Sequence, residues 1–575
     1  MMIGRCRQRH AVAHGFPQRS DRKIAVACFS NSQELPENKM GQEKNSRRNF
    51  LQVTGAGFAG AVLGSAQSSA FAIPIQGPTI GGPSGPVYDV KAFGAKGDGK
   101  SIDTPAVNRA IESASSAGGG IVRFPAGTYA CFSIHAKSNV ALFLETGATI
   151  LAAENGSAGA YDAAEPFGFD KYQDYGHSHW RNSLIWGEGI ENFSILGLGR
   201  IWGKGLSRGS GREQPKAEDP GVGNKAISLK NCRNVTLRDF SILHGGHFGI
   251  LATGVDNLTI DNLAIDTNRD GMDIDCCRNV RVSNCSVNSP WDDGICLKSS
   301  FGLGFARATE NVTITNCFVS GYQEGSLLDA TYKRTSDRPN SAPTGRIKFG
   351  TESNGGFKNI TVSNCVFDYC RGLALESVDG ALLEDVTITN ITMREITNSP
   401  IFLRLGSRMR GPQGVPVGTL KRVIISNIVC SNAASRLSSI ISGIPGHEIE
   451  DVRLSDIYIQ HQGGGSAQDA LAVAPENENA YPEPSMFGHA LPSSGFLIRH
   501  TKNIHLSNIE IVPLKDDLRS AFVLQDVKGA DFFRVKTQRS SGVPTFTLKT
   551  VEDFSVAQSR PLPDTQLERA DEKKL

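Results

Sequence analysis

The feature that most limits how this chain can fold is a short pattern that keeps returning. An Asn is followed by alternating apolar and polar residues, then by Asn or Asp and a second apolar pair. It appears as Asn234-Val-Thr-Leu-Arg-Asp-Phe-Ser-Ile, and again from Asn257, Asn279 and Asn311. Later copies begin at Asn359, Asp385, Arg422, Asp451 and Asn503. The first steps are 23 and 22 residues, and later ones lengthen as loops are inserted. Alternation at period two marks strands. Strands this short cannot bury their apolar face alone, but stacking each coil on the one before builds a continuous interior. A recurring corner Asn suits a tight bend, because Asn tolerates a left-handed backbone. Propeller blades of roughly 40–45 residues do not match these steps. The expected fold is all-β: a right-handed parallel β-helix.

A solenoid has two open ends that need covering. Asp103–Ala117 has a helical pattern with Pro105 in its first turn, and is read as an N-terminal cap. The tail from Asp564 is charged and without periodicity, and is read as frayed. The stretch 73–87 is rich in Gly and Pro and reads as a linker, so the helix domain is expected over 88–563, followed by a charged tail at 564–575.

Residues 1–72 read as leader and export signal. Ser46-Arg47-Arg48-Asn49-Phe50-Leu51-Gln52 precedes a weakly apolar Gly/Ala stretch and the small-x-small site Ala70-Phe71-Ala72. This order is that of a twin-arginine signal, with Ile73 opening the mature chain and Met40 as the expected true start. A periplasmic or secreted location follows. Twin-arginine cargo crosses already folded, so the 12 cysteines need not form disulfides. Cys232, Cys285, Cys317 and Cys365 each follow Asn in apolar segments, as small core residues would. Cysteine spacing fits no zinc site, and no metal or other cofactor is expected. The formal charge of +2 argues against a nucleic-acid partner. No run of 18 apolar residues occurs in the body, so no membrane span is expected in the mature form. The protein is expected to be a monomer.

Two adjacent repeats carry carboxylates at matching places: Asn268-Arg-Asp270-Gly-Met-Asp273 and Trp291-Asp292-Asp293-Gly294. Asp270 lies 22 residues before Asp292 and 23 before Asp293, which is one coil. These carboxylates should therefore stack on one face, with Asp273 beside them. Like charges held together raise the pKa of one member. A protonated acid beside ionised partners is what general acid–base cleavage of a glycosidic bond requires. Asp261, Asp266 and Asp275 read instead as solvated turn residues.

These motifs resemble the polygalacturonase family of pectin-degrading β-helix hydrolases. Tyr88–Asp98, Asp103–Ile111 and Gly118–Tyr129 look like that family's N-terminal signature, Asn268-Arg-Asp270 like its Asn-Thr-Asp motif, and Asp292-Asp293 like its Asp-Asp motif. The resemblance implies that Asp292 protonates the leaving oxygen while Asp270 and Asp293 hold and activate water, with inversion. An inverting pair is expected to sit about 6.5–9.5 Å apart. The substrate would be an acidic pectin-type chain, galacturonan or rhamnogalacturonan. Lys298 could bind a substrate carboxylate, His247 could contact sugar at one end of the cleft, and Trp291 could stack on a ring. Asn268 joins them through its motif.

The chain also departs from the family. A Gly-His-Gly motif is missing from the next coil, where Tyr322-Gln-Glu324-Gly and a basic insertion stand. Arg346-Ile-Lys348 matches the letters of the family's galacturonate-gripping Arg-x-Lys pair but lies one coil early. At the family's position stands Arg371-Gly-Leu-Ala-Leu-Glu376. Glu324, Arg346, Lys348, Arg371 and Glu376 are candidates to line a changed subsite. A loop at Tyr481–Gly488 interrupts the repeats and could wall off one end of the cleft, favouring exo action. Two other functions fit the same scaffold. One is a lyase with Ca²⁺ on the Asp trio and Arg346 or Lys348 as base. The other is a non-catalytic carbohydrate-binding solenoid.

Overall fold

The computed structural model describes residues 86–156, 158–173, 176–208, 219–334, 342–538 and 542–575. The export signal and nearly all of the linker lie outside the described residues. The described chain winds as a right-handed parallel β-helix with three strand faces. One face stacks β1 (Lys225–Lys230), β2 (Phe248–Thr253), β3 (Asp270–Asp275), β4 (Ile295–Ser299), β5 (Ile347–Ser353) and β6 (Leu373–Ser377). In register, Ile227 lies over Ile250, Ile250 over Met272, Met272 over Ile295, and Ile295 over Ile347. The second face stacks Val235, Leu258, Val280 and Val312, and the third Ile242, Ile265, Val287 and Val319. All of these join one buried core. Like sits on like because each coil repeats the same alternation, so truncating one interior Ile to Ala would cost about 2–5 kcal/mol.

The corner asparagines form a ladder. Asn139, Asn192, Asn234, Asn257, Asn279, Asn311 and Asn359 all have φ between 53° and 62°. Each Nδ2 from Asn192 onward donates to the Oδ1 of the Asn one coil below, at 2.8–3.2 Å. The left-handed bend and the side-chain bond are thus served by one residue type. Inside, Cys285, Cys317 and Cys365 follow the next corner, each Sγ donating to a carbonyl two residues back at 3.2 Å. All ten described cysteines are buried and unbridged.

The N-terminal end is covered by α1 (Thr104–Ser116), which turns Val107, Ala110 and Ile111 onto the core. Asp103 precedes it and accepts from the amides of Lys96 and Gly97 at 2.7 and 2.9 Å. The first strand starts at Val87, inside the segment read as linker. The C-terminal reading needs correction. Thr565–Lys574 is not frayed but an antiparallel strand paired with Phe546–Ala557. Only Leu567 and Ala570 pack inward, so the charged residues around them hid the period. Their charges suit an edge strand, because they discourage further strand addition. Among the described residues no helix is long and apolar enough to cross a membrane.

Candidate active site

Asp270 opens β3, and Asp292 and Asp293 stand in the turn before β4. Gly271 N donates to Asp293 O and Met272 N to Gly294 O, both at 3.0 Å. This close approach needs Gly271, since a Cβ there would meet Gly294 O at 2.4 Å. Stacking brings one carboxylate oxygen from each of Asp270, Asp292 and Asp293 within 4.8 Å of the others.

Their environments differ sharply. Asp270 is buried, and burial together with the Asp273 and Asp292 charges pushes its carboxyl well above the usual range. Asp293 is also buried, and burial alone would raise it. Lys348, Arg346 and Lys298 outweigh that and hold it well below. Asp292 is the open member, with 30% of its side chain exposed, and accepts from Arg269 Nη2 at 2.9 Å. Neighbouring acids are therefore pushed in opposite directions, Asp270 toward the protonated form and Asp293 toward the ionised one.

Several residues expected to meet substrate are instead committed to internal carboxylates. Arg346 Nε donates to Asp293 Oδ1 at 2.8 Å and its Nη2 to Glu483 Oε1 at 2.6 Å. Lys348 Nζ lies 3.2 Å from Asp293 and 3.6 Å from Glu376. Glu376 is fully buried; burial lifts its carboxyl to about 7, against the pull of Lys348 and Arg346. Arg371 reaches Glu483 at 2.9 Å. Lys298 lies 3.0 Å from Glu352 and 3.7 Å from Asp273. Glu324 does not join the trio but pairs with Arg208 and His244. His247 is buried against Phe248, with Nε2 3.3 Å from Arg269 Nη2. Burial and the Arg269 charge hold it well below its ordinary pKa. Both polar atoms of the buried Asn268 amide lack a hydrogen-bond partner beside the trio. Trp291 is partly exposed, its N–H backbone group bonded to Asn268 O at 2.9 Å.

Other residues were given no role by the sequence reading. His177 Nε2 lies 2.8 Å from Asp273 Oδ2, and Arg410 pairs with Glu352. Neither partner is near in sequence, so no spacing signalled them. Glu483 lies in the Tyr481–Gly488 segment, whose interruption of the repeats was the available signal. Tyr481 Oη accepts from Thr351 Oγ1 at 2.9 Å, so this loop does pack onto the site. The aspartates read as solvated also need correction: Asp266 and Asp275 are fully buried. Asp266 accepts from the amides of Leu327 and Leu328, and Asp275 from the amide and hydroxyl of Ser300.

Residues 225–390 match a family model described as right handed beta helix region. Residues 87–241 match one described as rhamnogalacturonase A/epimerase, pectate lyase-like. A probable polygalacturonase from Vitis vinifera is 22% identical over 395 residues, which is 64% of this chain and 73% of that one. An exo-poly-alpha-D-galacturonosidase from Dickeya chrysanthemi is 25% identical over 288 residues, 49% of this chain but only 40% of its own length. The solved exopolygalacturonase from Thermotoga maritima superposes with a TM-score of 0.54 at 16% identity, covering 75% of this chain and 93% of that one, and shares the fold. The chain has the right-handed parallel β-helix fold and is similar in sequence to polygalacturonases.

Proposed function

We propose that this protein is a glycoside hydrolase cleaving pectin-type acidic chains, galacturonan or rhamnogalacturonan. The observation that carries the reading is the convergence of three carboxylates within 4.8 Å in unequal surroundings: burial and the Asp273 and Asp292 charges push Asp270 up, while Lys348, Arg346 and Lys298 hold Asp293 down. Asp270 stores the proton at rest. Asp292, the member open to the cleft, delivers it to the leaving oxygen as the glycosidic bond breaks. Asp270, ionised once its proton has passed to Asp292, and Asp293 hold the water whose oxygen bonds to the anomeric carbon, and Asp270 takes the proton that water releases, which restores the resting state. We assign this displacement an inverting course. The closest oxygens are nearer than the about 6.5–9.5 Å usual between an inverting pair, so the anomeric form of the first product tests the assignment.

A calcium-dependent lyase remains the second reading, because three convergent carboxylates could hold a cation. Against it, Asp292 and Asp293 already face cations, and Arg346 and Lys348 are buried in ion pairs rather than poised as bases. The test is incubation with homogalacturonan and rhamnogalacturonan, with and without chelator, for the protein and its Asp292→Asn variant. New reducing ends without ultraviolet absorbance, lost in the variant, support hydrolysis. Chelator-sensitive absorbance means elimination, and no products from either chain rejects the enzyme reading in favour of a binding solenoid. We further propose export by the twin-arginine route, which Arg47→Lys/Arg48→Lys should block in a fractionation assay.

A further inference from the structure

The cations around the trio divide into two kinds. Arg346, Lys348 and Lys298 are at most 5% exposed and are each held by internal carboxylates. Arg269 is different. Its side chain is 17% exposed, and it bridges the open acid Asp292, at 2.9 Å, and His247, at 3.3 Å. Its backbone is fixed: Arg269 O accepts from Ser289 Oγ at 2.5 Å, and the preceding Asn268 O from Trp291 N at 2.9 Å. The long side chain can therefore turn about a rigid root while its neighbour Asp270 stays in place.

We propose that Arg269 is a specificity-determining residue that exchanges Asp292 for the carboxylate of the incoming sugar. This rests on the reading of Asp292 as the acid. A planar guanidinium takes a carboxylate through two parallel hydrogen bonds, and a second carboxylate competes directly for that fork. A uronic acid ring brought to Asp292 presents such a group, and a neutral ring does not. In the resting protein the Arg269 pair covers the acid. An anionic ring draws the guanidinium away, satisfies it, and leaves Asp292 open to receive the trio's proton. The buried ion pairs of Arg346 and Lys348 make this division of labour necessary, since displacing either would strand Asp293.

The full-length protein and its Arg269→Gln and Arg269→Lys variants would be assayed on oligogalacturonate and on the same oligomer fully methyl-esterified. Calorimetric binding of both oligomers would be measured alongside. The ratio of kcat/KM for acid over ester is expected to fall about tenfold or more in Arg269→Gln, chiefly through KM, with Arg269→Lys in between. Binding of the acid oligomer should weaken by a similar factor. Equal losses on both oligomers, an unchanged ratio, or acid binding that ignores the substitution would overturn the proposal. If the parent protein cleaves neither oligomer, the hydrolase reading fails. The binding arm still decides for or against Arg269: weaker acid binding in the Gln variant supports it, and equal or undetectable binding rejects it. Unchanged thermal unfolding of the Lys variant separates the effect from misfolding.

Discussion

Arg346 Nε meets Asp293 Oδ1 at 2.8 Å, 53 residues away in sequence, and neither side chain is more than 3% exposed. The same guanidinium reaches Glu483, a further 137 residues along. One arginine thus joins the carboxylate turn, the following coil and the late loop. Replacing it by Met leaves Asp293 and Glu483 as buried charges short of a partner. A loss of about 3–5 kcal/mol is expected, readable by chemical denaturation. A loss below 1 kcal/mol would mean that water reaches the pair.

Glu376 gives a dependence on pH. Its folded value of about 7 stands above the ordinary 4.5, chiefly through burial. The folded state therefore binds more protons than the unfolded one between those values, and Glu376 costs stability as pH rises from 4.5 to 7. Above 7 the cost is constant, and below 4.5 it is absent. Glu376→Gln should accordingly gain on the parent as pH rises through that window, by about 3 kcal/mol at pH 8. Thermal unfolding of both proteins from pH 4 to 8 measures it, and parallel curves would place the charge elsewhere.

The trio makes a kinetic prediction. Asp292→Asn and Asp270→Asn should each lower kcat by about 10²–10⁴-fold, because each removes a group that moves the proton. The double variant should lose little more than the worse single one, as residues acting as a unit do. Additive losses in the double variant would argue for separate roles.

The outer ladder is testable at Asn279, which has φ of 56°, donates to Asn257 and accepts from Asn311. Asn279→Ala loses both bonds and strains the left-handed bend, for about 2 kcal/mol in total. Asn279→Gly should restore the backbone share, and equal losses in the two variants would assign everything to the side-chain bonds.

Removing 564–575 would uncover the strand Phe546–Ala557, along with the inward contacts of Leu567 and Ala570. An open strand edge is a template for pairing with other chains. The truncated protein is expected to aggregate in a concentration-dependent way under light scattering, whereas the parent does not.

The sequence by itself determined the coil. Period-two alternation and a corner Asn at steps of 23 and 22 are local properties, and each coil meets only its neighbours. Hence the helix fold, the capping helix and the stacking of Asp270 on Asp293 were readable from spacing alone. The partners of the site were not. His177 on Asp273, Glu483 on Arg346 and Arg410 on Glu352 come from loops whose spacing carries no period. Burial decided the rest. Asp266 and Asp275 look like surface turn residues in one dimension, yet the fold covers both. Which aspartate keeps a proton depends on desolvation and on the cations that loops and later coils bring to it. Those are distances in space, and only the tertiary structure sets them.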